Sequence, residues 1–225
     1  MSSQNPKEAL LAQFAAVAKA LGNSHRLELL EFVAQGDRSV EVLAKRANLS
    51  VANASQHLAN LRKAGLVASR QEGKRVLYRL ADDSVLGLTA ALRHVAERNV
   101  AEVREIVDGY FNDRDSLEPV SRDELLQQME KGLVTILDVR PADEYQSGHV
   151  YGALNVTLAE LEDQLSDIPN DKQIVAYCRG TYCVLSFEAV AILRARGFNV
   201  RRLEDGFPEW KTAGFPIEVA APGVR

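Results

Sequence analysis

The sequence has few cysteines and no long apolar run. Its two cysteines, Cys178 and Cys183, lie five residues apart, which is no disulfide framework for a secreted protein. The apolar runs fall far short of the ~20 residues that a membrane-spanning helix needs. Residues 1–8 lack a charged segment followed by an apolar stretch, so no secretory signal is expected. These absences exclude a membrane partner and favour a reducing cytoplasm.

Charge is distributed unevenly along the chain, although the net charge is only −4. Residues 38–79 contain nine Lys and Arg against two Asp and Glu, a balance of +7. Residues 116–225 contain eleven against seventeen, a balance of −6. The basic window can therefore bind a polyanion, whereas the acidic window would repel one. Together with the length of 225 residues, this asymmetry indicates two domains.

Helical signals dominate the first half of the chain. Asn5 and Pro6 are typical of a helix start, and Gly65 is typical of a helix end. Two β-prone segments flank a Gly-containing turn and predict a hairpin. The predicted elements are helices at 6–21, 24–33, 40–47 and 51–64, a hairpin at 66–70 and 75–80, and a long helix at 84–110.

Two short helices around a turn, followed by a hairpin, form the pattern of a winged helix-turn-helix. The segments that carry it are similar to the arsenic-repressor (ArsR) family of small dimeric transcriptional regulators. They are 21–27, 55–58, 64–67 and 78–80. The resemblance covers about residues 8–110 and implies a mainly α winged-helix domain that binds double-stranded operator DNA as a homodimer. Its last helix would pair with the first across the dimer; packing within its own subunit is the alternative.

The helix at 51–64 is the candidate for reading DNA. Ala54, Leu58 and Leu61 share one side of it and are expected in the core, so the polar side chains between them face outward. Asn and Gln suit adenine edges in the major groove, while Lys and Arg contact phosphates. The candidate DNA-binding residues are Asn53, Ser55, Gln56, His57, Arg62, Lys63, Lys74 and Arg75. A solvated basic face is the alternative, and His57 can also be a capping or packing residue.

Metal ligands that members of this family often use are missing here. The start of the predicted helix at 40–47 reads Ser39-Val40-Glu41, without the cysteine pair that binds arsenite or cadmium. Of the zinc pattern on the last helix only His94 and Glu97 match, and two ligands do not make a zinc site. No metal and no cofactor are predicted, so the signal must come from elsewhere in the chain.

The second half alternates strands and helices, which predicts an α/β domain with a mostly parallel sheet. Residues 112–116 are charged and contain no apolar side chain, so they mark a linker between domains at 1–112 and 117–221. The predicted elements are helices that start at Ser121, Ala142, Thr157 and Val184, strands at 134–140, 153–155, 174–177 and 199–203, and a helical turn at 207–211.

A strand that ends on a cysteine is the chemical focus of the chain. Residues 174–177 are apolar, Cys178 follows them, and a helix is predicted from Val184. Cys178 is therefore expected at the carboxyl end of a strand, with a helix N-terminus directed at its sulfur. That position lowers the pKa of a thiol and exposes a nucleophilic thiolate. A buried structural cysteine is the alternative.

The segment Cys178-Arg179-Gly180-Thr181-Tyr182-Cys183 resembles the active-site loop of rhodanese-type sulfurtransferases, whose first cysteine carries a persulfide. Segments 134–140, 148–155 and 203–217 resemble other motifs of that family, in the same order. The resemblance covers about residues 117–220. It implies a rhodanese-like domain that takes sulfane sulfur from thiosulfate, glutathione persulfide or a polysulfide onto Cys178.

Details of this loop narrow its chemistry. Related phosphatases and arsenate reductases use a Cys-x5-Arg loop, but Val184 occupies that arginine position, so their chemistry is disfavoured. Cys183 stands where thiosulfate users often have Arg, Lys or Thr, which suggests a resolving partner for Cys178. Arg179 is expected either to stabilise a persulfide anion or, preferably, to hold the loop through carboxylates such as Glu204 or Asp205. Asp138 and Arg140 are expected to be a structural pair.

The residues favour a DNA-binding regulator whose rhodanese-like domain forms a persulfide on Cys178. Attack by Cys183 would give a disulfide or a sulfur-bridged link, and this change is the predicted signal to the DNA-binding half. Two alternatives stay open: a sulfurtransferase that DNA binding only localises, and a rhodanese fold kept as a binding module without turnover. Independent action of the two domains on a flexible tether is the alternative to coupling.

Overall fold

A computed structural model describes residues 5–112 and 118–219 of the chain. The chain divides into two compact units, Met1–Thr89 and Ala90–Arg225. Of the predicted linker only Asn112 is among the described residues; Asp113 to Ser116 lie outside them, as do residues 1–4 and 220–225. The domain bounds 1–112 and 117–221 stay a prediction. None of the described helices is both long and apolar enough to cross a membrane.

The first unit combines helices with a small antiparallel sheet. The helices are α1 (Pro6–Leu21), α2 (Ser24–Ala34), α3 (Val40–Arg46), α4 (Val51–Lys63) and the beginning of α5 (Ser84–Asn99). The strands are β1 (Arg38–Ser39), β2 (Val67–Glu72) and β3 (Arg75–Leu80). β2 and β3 form the predicted hairpin. β1 pairs with β3 and was not predicted, because two residues carry no periodicity.

The core of the first unit fixes which side of α4 faces solvent. Ala54, Leu58 and Leu61 are fully buried, as predicted, and the two leucines belong to an apolar cluster with side chains of α2 and α3. Burying a leucine contributes roughly 1.5–3 kcal/mol, so rotation of α4 about its axis is strongly opposed. At its end Gly65 adopts φ +75°, the left-handed conformation that a helix C-terminus favours. The polar side of α4 is thereby held outward.

The single helix predicted from Ser84 to Tyr110 is wrong, because the structure interrupts it. α5 ends at Asn99, and Val100 is extended before α6 (Ala101–Ile106) and a π-helical turn (Val107–Asn112). The Asn99 side-chain amide donates to the Val95 carbonyl oxygen at 2.8 Å. Such side-chain bonds compete with helix hydrogen bonds. The apolar periodicity continues across the break and therefore hid it.

The second unit contains the predicted parallel sheet. Its further helices are α7 (Arg122–Glu130), α8 (Ala142–Ser147), α9 (Val184–Ala195) and α10 (Phe207–Thr212). Its strands are β4 (Val134–Asp138), β5 (His149–Val150), β6 (Leu154–Asn155), β7 (Gln173–Tyr177), β8 (Val200–Arg202) and β9 (Ile217–Glu218). Four strands form the sheet in the order β6-β4-β7-β8, all parallel, while β5 and β9 form a separate antiparallel pair.

A helix was predicted from Thr157, and that prediction is wrong. Residues 158–164 form turns, followed by a 3-10 helix at Leu165–Asp167. The Thr157 hydroxyl bonds the Glu160 carboxylate at 2.6 Å instead of accepting from a backbone N–H. Bonds from residue i+3 back to residue i, such as that from the Glu160 N–H to the Thr157 carbonyl, then shape the segment.

Candidate functional sites

The cysteine loop lies at the carboxyl edge of the parallel sheet. β7 is a central strand that ends at Tyr177, so Cys178 leaves the sheet between β4 and β8, and Cys183 directly precedes α9. The two cysteines are joined in a disulfide, with their Cα atoms 6.1 Å apart. Cys178 is 1 % exposed, while Cys183 is half-buried. The chain thus brings two sulfur atoms together beside the N-terminus of a twelve-residue helix.

Arg179 is held by a carboxylate that sequence reasoning did not name. Its guanidinium lies 2.9–3.0 Å from the oxygens of Glu144, a fully buried residue of α8. Asp205, one of the two expected partners, pairs with Arg122 at 2.8 Å. A signal for Glu144 was present, since α8 follows β4 and therefore starts at the same sheet edge as the loop. This ion pair fixes the first half of the loop.

Arg202 of β8 holds the second half of the loop and was also missed. It donates to the carbonyl oxygens of Thr181 at 3.2 Å and Leu203 at 3.0 Å. Its guanidinium also lies 4.1 Å from the ring centroid of Phe187.

A Cβ atom at Gly206 would overlap the Arg179 carbonyl group, so only glycine allows this close approach. Gly180 itself borders open space.

A buried polar network supports the strand ends beneath the loop. Arg140 pairs with Asp138 at 2.6 Å, and both side chains are fully buried, as expected of a structural pair. The Tyr177 hydroxyl donates to the same carboxylate at 2.6 Å and accepts from the Val150 N–H. Burial, followed by the charge of Asp138, raises the pKa of Tyr177 well above its ordinary value. The phenol therefore stays a donor.

Removing the cation from this network is expected to destabilise the second unit strongly. Arg140→Met leaves Asp138 charged and buried without its partner, which typically costs about 3–5 kcal/mol. Urea unfolding followed by the fluorescence of Trp210, the single tryptophan and a fully buried one, measures the loss. Arg196→Met is the matched control, since its pair with Glu162 is exposed and such pairs contribute about 0–1 kcal/mol. Equal losses would contradict a structural role of the buried pair.

The predicted DNA-reading side of α4 is exposed. Asn53, Ser55 and Gln56 project from it into solvent. Near its end, Arg62 donates to the Ser69 hydroxyl at 3.1 Å, which ties the helix to β2. The other predicted cations are exposed at the end of α4 and on the hairpin: Lys63, Lys74 and Arg75.

His57 differs from the other predicted DNA contacts. It is half-buried, and its ring centroid lies 5.8 Å from that of His25 on α2. Its Nδ1 atom is buried and has no hydrogen-bond partner among the residues described. Burial, followed by the charges of Arg26 and His25, lowers the pKa of His57. The packing alternative accounts for this placement, and a DNA contact stays a prediction.

Metal ligands do not cluster in the described part of the chain. Residues 5–112 and 118–219 contain no group of three or more His, Cys, Asp or Glu side chains that can hold an ion. His94, half of the incomplete zinc pattern, borders a cavity in the second unit together with Glu97.

A winged helix-turn-helix with an exposed polar helix, joined to an α/β unit with a cysteine loop, defines a DNA-binding regulator that carries a rhodanese-like domain. Family profiles agree with both halves. Residues 23–69 match the profile described as bacterial regulatory protein, arsR family, and residues 121–213 match the rhodanese-like domain. Both resemblances seen in the sequence are therefore confirmed.

The chain is 44% identical over 216 residues to the HTH-type transcriptional regulator Rv0324 of Mycobacterium tuberculosis, covering 96% of this chain and 95% of that protein. It belongs to the arsR family and is a transcriptional regulator. A sulfurtransferase of Allochromatium vinosum is 32% identical over 85 residues, 37% of this chain and 78% of that protein. A homodimeric winged helix-turn-helix DNA-binding domain of Mycobacterium bovis is 41% identical, covers 45% of this chain and 95% of that one, and superposes with a TM-score of 0.41.

Proposed function

We propose that this regulator senses reactive sulfur through a persulfide on Cys178, and that the Cys178–Cys183 disulfide is the signalling product. The observation that carries the proposal is the meeting of the two sulfurs within one loop at the sheet's carboxyl edge. A structural disulfide needs no such location, whereas sites of open α/β folds lie there.

The chemistry balances without any further oxidant. The Cys178 thiolate attacks the outer sulfur of an organic persulfide, forms a new S–S bond, and releases the donor's thiolate. The Cys183 thiolate then attacks Sγ of Cys178 and expels hydrosulfide, which leaves the disulfide. The sulfane sulfur has been reduced and the two thiols oxidised. Two external thiols restore the pair and leave as their own disulfide.

The exposure of the two cysteines indicates which sulfur a reducing thiol attacks first. Cys178 is buried in the disulfide form, while Cys183 is half-buried. An external thiol therefore reaches the Cys183 sulfur first, and Cys178 leaves as the thiolate. The N-terminus of α9 lies beside it and favours the negative charge. Each cycle thus returns the nucleophile in its reactive form.

The surroundings of the loop favour weakly charged sulfur donors. Cys178 and Cys183 adjoin an apolar cluster of the second unit, and the charge of Arg179 is compensated by Glu144. Thiosulfate carries two negative charges, which Arg202, already donating to the carbonyl oxygens of Thr181 and Leu203, balances only in part. Glutathione persulfide and polysulfides, whose reacting end carries at most one charge, are the better candidates.

Operator DNA and a second copy of the chain are the proposed macromolecular partners, and the cytoplasm is the proposed compartment. The outward polar side of α4 and the basic hairpin fit the major groove and the flanking phosphates. Exposed apolar side chains on α1 and α5 fit the family's mode of dimerisation. They are Leu10, Leu11, Phe14, Leu88, Leu92 and Val95.

Operator binding is expected to change when sulfur reaches Cys178. Couplings between sites typically amount to about 1–3 kcal/mol, so donor-treated protein should differ from reduced protein by roughly 5- to 150-fold in operator affinity. Fluorescence anisotropy with a labelled operator measures this change, and Cys178→Ser, exposed to the same donor, should show none. Identical affinities of reduced and treated protein would make the rhodanese-like domain an enzyme beside a regulator.

That enzyme is the second candidate function. The similarity to a protein named as a sulfurtransferase favours it. The enzyme hypothesis predicts that each chain transfers sulfur many times from donor to thiol acceptor, at a rate independent of operator DNA. A rhodanese fold kept only for binding predicts no sulfur on Cys178 at all.

A further inference from the structure

Tyr182 connects the cysteine loop to the helical segment at the start of the second unit. Its ring centroid lies 4.9 Å from that of Phe111 in the π-helical turn. Phe111 in turn packs edge-on against Phe187 of α9, with 4.9 Å between the centroids. An aromatic cluster thus joins the loop, the helix that follows it, and residues far earlier in the chain.

A polar contact accompanies this aromatic cluster. Burial of the ring, followed by a hydrogen bond with the Glu97 carboxylate of α5, raises the pKa of Tyr182 to about 12. Glu97 also lies 3.7 Å from the guanidinium of Arg93, one helical turn earlier. Tyr182 therefore contacts α5 through its hydroxyl and the π-helical turn through its ring.

The position of Tyr182 depends on the cysteine pair because this residue lies within the loop that the disulfide closes. It directly precedes Cys183, and the Cys178–Cys183 bond closes the six-residue loop that contains it. A cross-link restricts the conformations of the residues it encloses, and breaking it releases them. Disulfide formation and loss therefore act on Tyr182 more directly than on any residue outside the loop.

Space is available for a second position of this side chain. A cavity of about 920 Å³ borders Tyr182, lined also by Ala90, His94, Thr181 and Arg202. Phe111 borders the same cavity, so a side chain that leaves Phe111 has space beside it. Two positions with different contacts are what a switching element requires.

We propose that Tyr182 transmits the state of the cysteine pair to α5 and the π-helical turn, the disulfide holding its ring against Phe111 and the reduced pair releasing it. This inference rests on the proposed function, because it assigns the route of the same signal. α5 begins at Ser84 in the first unit and continues into the second, so a change at Glu97 acts on a helix that both units share.

The test uses full-length variants on both sides of the contact. Tyr182→Ala removes the ring and the hydroxyl, while Phe111→Ala removes the opposing ring without touching the loop. Tyr182→Phe keeps the ring contact with Phe111 and removes only the hydrogen bond to Glu97, so it separates the two contacts. Tyr151→Ala is the matched control, since Tyr151 is 57% exposed and belongs to neither the loop nor the helical segment.

Operator affinity is measured for the reduced and the disulfide form of each protein. Wild type and Tyr151→Ala should keep a change of ~5- to 150-fold, and both alanine variants at the contact should fall below about twofold. Tyr182→Phe should fall between them, because it loses only the hydrogen bond to Glu97. Tyr182→Ala that keeps the full wild-type change would overturn the proposal, and so would a wild type without any change.

A second measurement separates this inference from the proposed function. Linkage is reciprocal, so a contact that senses the disulfide also stabilises it. In glutathione redox buffers, with the products quantified by mass spectrometry, Phe111→Ala should shift the Cys178–Cys183 equilibrium by about fivefold or more towards the thiols. A shift below about twofold overturns the transmission route, even if sulfur uptake succeeds. Absence of sulfur uptake contradicts the proposed function but leaves this measurement decisive for Tyr182.

Discussion

Cys178→Ser is expected to lose sulfur uptake almost completely, by a factor on the order of 10³ or more, because it removes the atom that forms the covalent intermediate. A serine hydroxyl is not ionised at neutral pH and does not accept sulfane sulfur. Intact-mass spectrometry after exposure to glutathione persulfide measures the outcome directly. The fold should persist, because serine is close to cysteine in size and the buried ion pair beneath the loop is unchanged.

Cys183→Ser is the matched control, the same substitution in the same loop. It keeps the nucleophile and removes the resolving thiol, so the persulfide should accumulate as a species one sulfur atom heavier. Wild type should instead become two hydrogen atoms lighter as the disulfide forms and hydrosulfide leaves. Uptake by Cys178→Ser that equals uptake by wild type would refute the nucleophile assignment. Loss of uptake in Cys183→Ser alone would make Cys183 the acceptor.

Operator binding should weaken by roughly 10⁴-fold when salt is raised from about 50 to 200 mM. Each subunit presents four predicted phosphate contacts: Arg62, Lys63, Lys74 and Arg75. A dimer then neutralises about eight phosphates, and each contributes about −0.9 to the slope of log K against log salt concentration, which gives a slope of about −7. Fluorescence anisotropy at several salt concentrations measures this slope. A slope near zero would exclude the proposed interface.

Single substitutions distinguish the residues that contact phosphates from the residues that read the bases. Lys74→Ala should reduce the slope by about two per dimer and weaken all DNA sequences alike. Gln56→Ala should leave the slope unchanged and cost ~1–3 kcal/mol of preference for the operator. Lys211→Ala, an exposed lysine of the second unit, is the control and should change neither quantity. Equal binding of operator and random DNA by wild type would contradict base reading by α4.

The sequence by itself determined the elements whose signals are local. The side of α4 that carries Ala54, Leu58 and Leu61 was predictable, because helical periodicity states which residues face a core. Strand β7, with Cys178 after it, was predictable because an apolar β-prone run that stops abruptly marks a strand end. Once strands alternate with helices, a parallel sheet follows, and with it the sheet edge on which the loop lies.

Only the tertiary structure decided which distant groups meet around the loop. Arg179 pairs with Glu144, thirty-five residues away, although the expected partners Glu204 and Asp205 carry the same charge. The choice follows from the neighbouring order of β4 and β7, since adjacent parallel strands bring the elements after them to one edge. Charge alone contains no information about that order.

Contacts between distant parts of the chain also decided the two-residue strands and the meeting of Phe111 with Tyr182. The break after Asn99, where Val100 is extended, is not visible in the apolar periodicity, which continues across it. Strands as short as β5 and β9 exist only because each supplies the other's partner. Contact between Phe111 and Tyr182, seventy-one residues apart in sequence, depends on how the helical segment packs against the sheet of its own unit, and local sequence does not encode that packing.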